Sequence, residues 1–292
     1  MSARTGANAS ATKSVNETVD EPRVFVLGAG RAGMALVRGL REGGVAVVGF
    51  HGRHASTSDG VTAGTLPPEL GGATVALVAV RDAQLEAALE ELAPALPHDA
   101  VVLHLSGATE PRALTALREA GHACGTFHPL VPLAAGSDVS ALLRGAWIGI
   151  DGDALAIRMA DRLAAALGAR VLRIPPGEKA RYHAAAVLAS NYPVVLAVLA
   201  ERLMCDAGVE RGAARGAVAT LLAGAVSNLR RVPDAAPLAS ALTGPIVRGD
   251  HETVRRHLEA LAADPLMAAV YRSLAEATAA LLAREGSDVV GR

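Results

Sequence analysis

The sequence predicts an α/β fold in which a mostly parallel, doubly wound sheet is followed by an all-α C-terminal domain. Short apolar runs alternate with helical segments from residue 23 to about residue 175, and a glycine-rich turn joins the first run to the first helix. Residues 178–285 show helical patterns without strand-like alternation. The triplet Pro175-Pro176-Gly177 marks the predicted boundary between the two domains.

The strand predictions rest on short apolar runs bounded by turn residues. These runs are residues 24–27, 45–50, 74–80, 101–105, 125–128, 147–150 and 170–174. Asp82 is the predicted cap of the second helix, and Asp250 that of a helix in the C-terminal domain. The first 22 residues are polar and lack the apolar segment of a secretory signal, so they predict a disordered tail. The predicted divisions are therefore a tail at 1–22, a sheet domain at 23–175, a helical domain at 176–285 and a second tail at 286–292.

Composition argues against several function classes. The 292 residues carry 28 basic and 29 acidic side chains, and a formal charge of -1 is not that of a protein that follows nucleic-acid phosphates. No apolar run reaches the roughly 18 to 20 residues of a membrane span. The two cysteines, Cys124 and Cys205, form no paired metal or redox motif. These features predict a soluble, reduced, cytoplasmic protein without nucleic-acid, membrane or metal partners.

The first predicted strand and the first predicted helix are joined by the motif Gly28-Ala29-Gly30-Arg31-Ala32-Gly33. Its spacing fits G-x-G-x-x-G, in which the glycines permit a tight turn, close approach of the backbone to a pyrophosphate, and close packing of helix on strand. The free N-H groups at the start of the helix bind phosphate in such sites. Because strand, motif and helix occur in the required order, the sequence predicts a Rossmann dinucleotide-binding domain.

The end of the second predicted strand indicates which dinucleotide binds. An NAD site has Asp or Glu here to bind the ribose hydroxyl, whereas this sequence has Arg53 and His54, and no carboxylate before Asp59. Arg53 fits a 2'-phosphate, and Arg31 adds a second cation. The missing acid is the stronger indication, because an arginine in this Arg-rich chain is also an ordinary solvated loop residue. We therefore predict NADP as the cofactor.

Loops after the later strands are expected to line the nicotinamide end of the cofactor. Val80, Ser106 and Gly107 are the candidate cofactor contacts in these loops, and His128 is a candidate for substrate contact. His104 lies in an apolar strand and is interpreted as a core histidine.

Lysine is rare in this chain, since only Lys13 and Lys179 occur among its 28 basic residues. Lys179 and His183 fall on one face at the start of the first long helix of the second domain, and Asn191 follows off that stripe. A hydride-transfer reductase needs a group that protonates or stabilises the developing alkoxide or amine, which lysine and histidine provide and arginine does not. Lys179, His183, Asn191 and His128 are the predicted catalytic residues, although a lysine at a helix N-terminus is also an ordinary surface residue.

Five motifs follow one another along the chain: GAGRAG, LHLSGA, FHPL, K-x-x-YHAAAV-x-ASNY and ALTGP-x-x-RGD. Together they resemble the NADP oxidoreductase family that joins a Rossmann-like domain to a helical domain of unknown function (domain-of-unknown-function 2520), over residues 23–282.

The chain is more distantly similar to ketopantoate reductase, pyrroline-carboxylate reductase and hydroxyisobutyrate dehydrogenase. In those hydroxyacid and ketoacid enzymes a Lys and an Asn one helical turn apart act at the start of the interdomain helix. Lys179 matches the lysine, whereas His183 stands at the Asn position. The resemblance also implies a homodimer built through the helical domain.

The predicted function is an NADP-dependent reductase of a small carbonyl or imine compound, with a 2-oxo acid of the ketopantoate type as the most specific hypothesis. The substrate is expected between the two domains, beside Lys179 and His183. Two alternatives stay open. One is a dinucleotide-binding sensor or partner-binding protein without turnover, and the other is a deazaflavin-linked NADP reductase, which needs a wide pocket beside the nicotinamide.

Overall fold

The computed structural model describes residues 21–110, 113–132 and 139–290, and only the backbone of residues 113, 139, 140 and 285–290. All but the last two residues of the predicted N-terminal tail lie outside these ranges. The chain forms two compact units, Met1–Val187 and Leu188–Arg292. The first unit extends beyond the Pro-Pro-Gly triplet, so it contains the sheet and also the first turns of the long helix that follows.

The first unit contains a seven-stranded sheet with the strand order β2-β1-β3-β4-β5-β6-β7. The strands are β1 (Arg23–Leu27), β2 (Ala46–His51), β3 (Val75–Val78), β4 (Val101–His104), β5 (Cys124–Pro129), β6 (Trp147–Gly152) and β7 (Arg170–Arg173). Every neighbouring pair is parallel except β5 and β6, which run antiparallel. The predicted mostly parallel sheet is therefore confirmed, and each strand overlaps an apolar run identified in the sequence.

Helices cover both faces of the sheet, as expected for a doubly wound fold. They are α1 (Arg31–Glu42), α2 (Asp82–Leu92), α3 (Ala113–Glu119), α4 (Val139–Leu143) and α5 (Ala154–Ala166). Leu36 and Leu40 of α1 and Leu163 of α5 are buried in one core, and Leu85 and Leu89 of α2 are buried in the core on the other face.

The predicted capping role of Asp82 is wrong. Arg81 is the N-cap residue of α2, and no side chain caps this helix end. Asp82 is instead the first residue of the helix, where its negative charge interacts favourably with the helix dipole.

Strand register places a row of polar residues on the face covered by α2 and α3. His104 at the end of β4 is paired with Thr126 of β5, and Thr126 is paired with Asp151 of β6. Paired residues on neighbouring strands point to the same face of a sheet. Val102 and Cys124, two residues earlier on β4 and β5, belong to the core on that face. Polar side chains therefore follow the apolar core at the edge where the parallel strands end.

The second unit is helical. Its helices are the remainder of α6 (Lys179–Asp206), α7 (Arg211–Arg231), α8 (His251–Ala260) and α9 (Pro265–Val290). Asp250 caps α8 as predicted, because its carboxylate accepts a hydrogen bond from the main-chain N-H of Thr253 at 3.0 Å. Helix α9 continues through residues 286–290, where the sequence predicts a tail.

The second unit buries few apolar side chains. Within its described part, the buried hydrophobic residues are Ala214, Val218, Leu261 and Met267. By length and composition alone, the helices Lys179–Asp206 and Pro265–Arg284 are able to cross a membrane. This is weak evidence for a membrane span, since the core helices of water-soluble proteins pass the same test. Almost none of their most apolar segments is buried, however, so both helices carry apolar surface that the described chain leaves uncovered.

Candidate functional site

The glycine-rich turn after β1 brings three stretches of main chain together. Gly28 has a φ of +113°, in the left-handed region that favours glycine. A Cβ on Gly28 would overlap the carbonyl oxygen of Ala79, and one on Gly33 would overlap the carbonyl oxygen of Gly28. The first and third glycines therefore let the turn, the end of β3 and the start of α1 pack in direct backbone contact.

The second glycine faces open space instead. No atom lies within 4 Å of a Cβ built on Gly30, and Gly30 is the N-cap residue of α1 without any side chain that caps the helix. The first N-H groups of a helix have no intrahelical partner, and the helix dipole is positive at this end. The space above Gly30 therefore fits a pyrophosphate, with the main-chain N-H groups of Arg31 and Ala32 available as donors.

The loop after β2 lies against this turn. Gly52 packs so closely that a Cβ there would lie 2.6 Å from the Cβ of Ala29. Arg53 and His54 follow directly and are exposed. Asp59, the first carboxylate after the strand, already accepts a 2.6 Å hydrogen bond from a serine of the same loop. The loop thus places an exposed arginine directly after the residue that packs on the turn, and its first carboxylate accepts a hydrogen bond within the loop.

Three further candidate cofactor contacts lie at neighbouring strand ends. Val80 borders the glycine turn, since a Cβ on the first glycine would lie 3.1 Å from the Val80 nitrogen. The main-chain N-H of Ser106 donates to Nδ1 of His104 at 3.2 Å. Gly107 lies against His128, so that a Cβ on this glycine would approach the imidazole ring to 2.6 Å. All three positions lie at the edge of the sheet where the parallel strands end.

Lys179 reaches the polar row of the sheet from the first turn of α6. Only 5% of this residue is exposed. Its Nζ lies 3.4 Å from Nε2 of His104 and 3.9 Å from Oδ2 of Asp151. The same His104 nitrogen lies 3.3 Å from Oγ1 of Thr126. These four residues, His104, Thr126, Asp151 and Lys179, are called the lysine pocket below.

Burial changes the proton affinities of this pocket. Loss of hydration, followed by the neighbouring charge of Lys179, lowers the pKa of His104 to about 3, so the imidazole is neutral near pH 7. Burial also lowers the pKa of Lys179, and Arg118 adds to this effect, whereas the carboxylates of Glu110 and Asp151 raise it. A lysine that loses its proton more readily than usual is suited to proton transfer near neutral pH.

A second polar group lies two residues further along β5. The hydroxyl of Tyr182 lies 2.9 Å from Nδ1 of His128, and the rings of His128 and His183 meet edge to face with centroids 5.7 Å apart. Gly149, which is paired with His128, leaves room for Tyr182, because a Cβ there would overlap the tyrosine hydroxyl. Burial lowers the pKa of His128 to about 4 and raises that of Tyr182 to about 12. Both side chains are therefore neutral near pH 7.

His183 has a polar atom without a partner. Its Nδ1 is buried and forms no hydrogen bond within the described chain. A buried polar atom in this condition costs about 1 to 3 kcal/mol, and such atoms in native proteins often mark the place of an absent water or ligand. A polar group of a bound small molecule would satisfy this nitrogen. In the described ranges, no group of three or more His, Cys, Asp or Glu side chains is able to hold a metal ion.

The structure brings three of the four predicted catalytic residues into the first unit. His128 contacts His183 directly, and Lys179 lies one helical turn before His183 on α6, so these three side chains come from adjacent positions of the first unit. Asn191 lies on the part of α6 that belongs to the second unit, where it is exposed.

Sequence reasoning missed four residues of this site. His104 is buried as predicted, but it also contacts Lys179. Thr126, Asp151 and Tyr182 were not identified as candidates. The positions of His104 and Asp151 follow from strand register, and Asp151 enters the row only because β6 runs antiparallel to β5. The apolar run that predicts β6 does not show its direction, so the sequence offered no signal for this pairing.

Comparisons with known proteins agree with this fold. Residues 146–278 match the family described as domain of unknown function (DUF2520). A candidate NADP oxidoreductase from Bacteroides fragilis has a similar structure, with a TM-score of 0.69 at 18% identity over 89% of this chain and 98% of that one. A protein from Thermotoga maritima gives 0.68 at 22% identity over 92% and 100% of the two chains. Pyrroline carboxylate reductase from Plasmodium falciparum, solved with NADP bound, gives 0.59 at 13% identity over 89% and 97%.

Among curated proteins, none matches the sequence. At these identities the structural likeness shows the fold, a Rossmann-like sheet followed by a helical region. The resemblance predicted from the motifs is confirmed over the matched segment, which includes Lys179, Tyr182 and His183. Residues 146–278 are thus similar to the DUF2520 family, and the chain shares its fold with the candidate NADP oxidoreductase from Bacteroides fragilis.

Proposed function

We propose that the chain is an NADP-dependent reductase of a small carbonyl or imine compound. The observation that carries this proposal is Lys179, which is buried beside the neutral His104 at the sheet edge that also holds the glycine turn. Leu27, directly before that turn, is paired with Val78, and Val78 is paired with His104. Two strand spacings therefore separate the turn from the lysine pocket, roughly 10 Å at about 4.8 Å per strand.

The residues of the lysine pocket support proton transfer to the substrate. NADPH, when bound, supplies the hydride. The substrate oxygen or nitrogen then gains negative charge, and the ammonium group of Lys179 donates a proton to that atom. Asp151 stabilises the ammonium before the transfer, and burial favours the neutral amine after it. Arginine, the common basic residue of this chain, is unable to release a proton in this way.

We propose NADP rather than NAD because of the loop after β2. Arg53 is exposed next to the glycine turn, and the carboxylate of Asp59 is already hydrogen-bonded within its own loop. A guanidinium group binds a phosphate through two parallel hydrogen bonds, whereas the loop has no Asp or Glu directly after the strand, where an NAD site binds the ribose hydroxyl.

The proposed substrate carries a polar group beside its carbonyl or imine. His128 and His183 are adjacent, and the buried Nδ1 of His183 lacks a partner that a carboxylate or hydroxyl group would provide. Small 2-oxo acids of the ketopantoate type are the first class to test. Cyclic imines are the second class, since one protein of the same fold is a pyrroline carboxylate reductase.

NADPH oxidation against a panel of 2-oxo acids and cyclic imines tests this function. Lys179→Ala is expected to lower kcat at least tenfold and to leave NADPH affinity nearly unchanged, because the lysine acts on the substrate. Lys179→Arg keeps the positive charge but is expected to lose activity as well, since a guanidinium group does not give up its proton. Lys13→Arg, in the N-terminal tail, is the matched control and keeps full activity.

Two results would contradict the proposal. Equal turnover by the wild type and Lys179→Ala would remove this lysine from the mechanism. NADPH binding without oxidation on any substrate of the panel would favour a dinucleotide sensor over a reductase.

We further propose that the protein is a cytoplasmic homodimer formed through the second unit. That unit buries few apolar side chains, and its part of α6 exposes a group of large ones. They are Leu188, Tyr192, Val194, Val195 and Val198. A helical unit of this size needs more buried apolar surface to be stable, and exposed patches of this kind mark interaction surfaces. A second copy of the chain covers them in the proposed dimer.

Light scattering on the purified chain tests the dimer, with an expected mass of twice 29.6 kDa. Val195→Glu places a charge in the apolar surface and is expected to shift the mass toward that of the monomer. A monomeric wild type that floats with lipid vesicles would contradict the dimer and indicate a membrane instead.

A further inference from the structure

We propose that His104 and Thr126 form a hydrogen-bond switch that allows Lys179 both to give and to take a proton. In this switch, the Nε2-H of His104 donates to the Lys179 amine when the amine is neutral, and to Oγ1 of Thr126 when it is charged. The switch itself is a property of the lysine pocket. Its catalytic meaning rests on the proposed reductase function.

The main chain after β4 determines the tautomer of His104. The N-H of Ser106 lies 3.2 Å from Nδ1 of this histidine, and a peptide N-H is able only to donate. Nδ1 is therefore the nitrogen without a proton. The ring is fully buried, and burial is the main cause that lowers its pKa to about 3. A neutral imidazole has one N-H, so the proton of His104 is on Nε2.

Two acceptors lie within reach of this N-H. Oγ1 of Thr126 is 3.3 Å from Nε2, and Nζ of Lys179 is 3.4 Å from it. A protonated ring nitrogen has no lone pair to offer, and an ammonium group has three donors and no acceptor. The contact between His104 and Lys179 is therefore a hydrogen bond only when the lysine is a neutral amine.

Ionisation of Lys179 accordingly redirects the His104 N-H. When the lysine is charged, Nε2-H donates wholly to Thr126, and the ammonium is left with Asp151 at 3.9 Å, an ion pair longer than a hydrogen bond. Neither state leaves the buried N-H of His104 without an acceptor, and neither requires the ring to move. The pocket thus accommodates both protonation states of Lys179. Both states are needed by a group that donates a proton in one direction of the reaction and accepts it in the other.

The other groups that face Lys179 come from several elements. Burial lowers the pKa of Lys179, Glu110 after β4 and Asp151 of β6 raise it, and Arg118 of α3 lowers it. His128 of β5 is neutral near pH 7. Charges of both signs therefore surround the amine, and we expect the hydrogen bonds of His104 to shift the pKa of Lys179 further.

The scarcity of lysine makes this titration directly observable. Protein labelled with 13Cε-lysine gives two ε-methylene NMR signals, and Lys13→Arg identifies which of them belongs to Lys179. The measurement uses the full chain without cofactor or substrate. We expect Lys179 to titrate at lower pH than Lys13.

The tautomer of His104 is measured in 15N-histidine-labelled protein. We expect His104 to keep its proton on Nε2 and the chemical shift of that N-H to change over the same pH range in which Lys179 titrates. The switch would be overturned by a His104 proton on Nδ1, or by an N-H chemical shift that stays constant while Lys179 titrates.

Two variants at position 126 separate the hydroxyl from the volume of the side chain. Thr126→Val removes the second acceptor, so the charged state of Lys179 leaves a buried N-H unpaired. The Lys179 midpoint is then expected to fall by about one pH unit. Thr126→Ser keeps the hydroxyl and is expected to titrate like the wild type. Equal midpoints in all three proteins, or an equal fall in both variants, would refute the role of Thr126. If Thr126→Val does not fold, the coupled signals of the wild type decide the question.

Turnover distinguishes failure of the switch from failure of the proposed function. In an active reductase, the pH limb of kcat that belongs to Lys179 is expected to move with the NMR midpoint in Thr126→Val. Coupled NMR signals without NADPH oxidation on any substrate would refute the reductase and leave the switch. Activity with a midpoint and a pH limb that stay unchanged in Thr126→Val would refute the switch and leave the reductase.

Discussion

The glycine turn and the lysine pocket lie at the same edge of one sheet, but they are built by opposite means. The turn consists of six consecutive residues and acts through its main chain, because side chains at Gly28 and Gly33 would overlap backbone oxygens. The pocket joins side chains from three strands and a helix, and His104 and Lys179 meet across 75 positions of sequence. The turn is therefore sensitive to an added carbon atom, whereas the pocket is sensitive to an added proton.

The largest effect is expected within the glycine turn itself. Gly33→Ala places a Cβ on the carbonyl oxygen of Gly28, so the start of α1 must shift. We expect the free energy of unfolding to fall by about 3 kcal/mol, the upper range for overpacking, together with loss of NADPH binding. Thermal unfolding and fluorescence titration with NADPH measure the two effects.

Gly30→Ala is the matched control for that substitution. Its Cβ meets no atom of the chain, so stability is expected to change by less than about 0.5 kcal/mol. NADPH affinity is nevertheless expected to fall, because the new methyl group occupies the proposed pyrophosphate space. If Gly30→Ala binds NADPH as tightly as the wild type, the cofactor does not lie on this turn.

Acid is expected to affect the lysine pocket and the neighbouring His128 and to spare the turn. His104 and His128 have folded-state pKa values of about 3 and about 4, against an ordinary value of 6.5. The unfolded chain therefore binds more protons below pH 6.5, and the stability that these neutral rings contribute is lost as the pH falls toward 4. For His104 alone the loss is roughly 1.5 kcal/mol between pH 6.5 and pH 5.

Urea unfolding at several pH values measures this loss, followed by fluorescence of the single tryptophan, Trp147 of β6. His104→Gln is expected to flatten the dependence on pH. His98→Gln is the control, because His98 is 87% exposed and should leave the dependence unchanged. The same acid slope in both variants would show that His104 is not the group responsible.

The same contrast explains what the sequence was able to predict. The strands, the glycine turn and the cap at Asp250 depend on neighbouring residues, and they were predicted because local patterns determine them. The antiparallel direction of β6 depends on packing, so the sequence did not place Asp151 beside Thr126. Asp82 was predicted as a cap from its residue type, but the helix begins at Asp82 itself.

A smaller effect is expected at Arg53, the side chain beside the turn that is proposed to favour NADPH over NADH. Arg53→Ala removes one charge-assisted contact, so the Kd for NADPH should rise about tenfold, or about 1.4 kcal/mol, while the Kd for NADH changes little. Arg272→Ala, an exposed residue of the second unit, is the control for the loss of one positive charge. Calorimetric titration with both cofactors measures the difference, and parallel losses for NADPH and NADH would exclude a 2'-phosphate contact.

The smallest effect concerns two tyrosine-histidine pairs of similar geometry. Tyr182 and His128 are hydrogen-bonded at 2.9 Å with ring centroids 5.6 Å apart, and Tyr271 and His257 at 2.7 Å with the same centroid separation. The first pair is partly buried beside the lysine pocket, and the second is exposed in the second unit. Tyr182→Phe is expected to reduce stability by about 1 kcal/mol and to raise KM a few-fold, because His128 loses a partner where water does not readily replace it. Tyr271→Phe is expected to change neither quantity, since water replaces the lost hydroxyl at an exposed site. Equal effects of the two substitutions would mean that the hydrogen bond to His128 has no role beyond that of an ordinary surface contact.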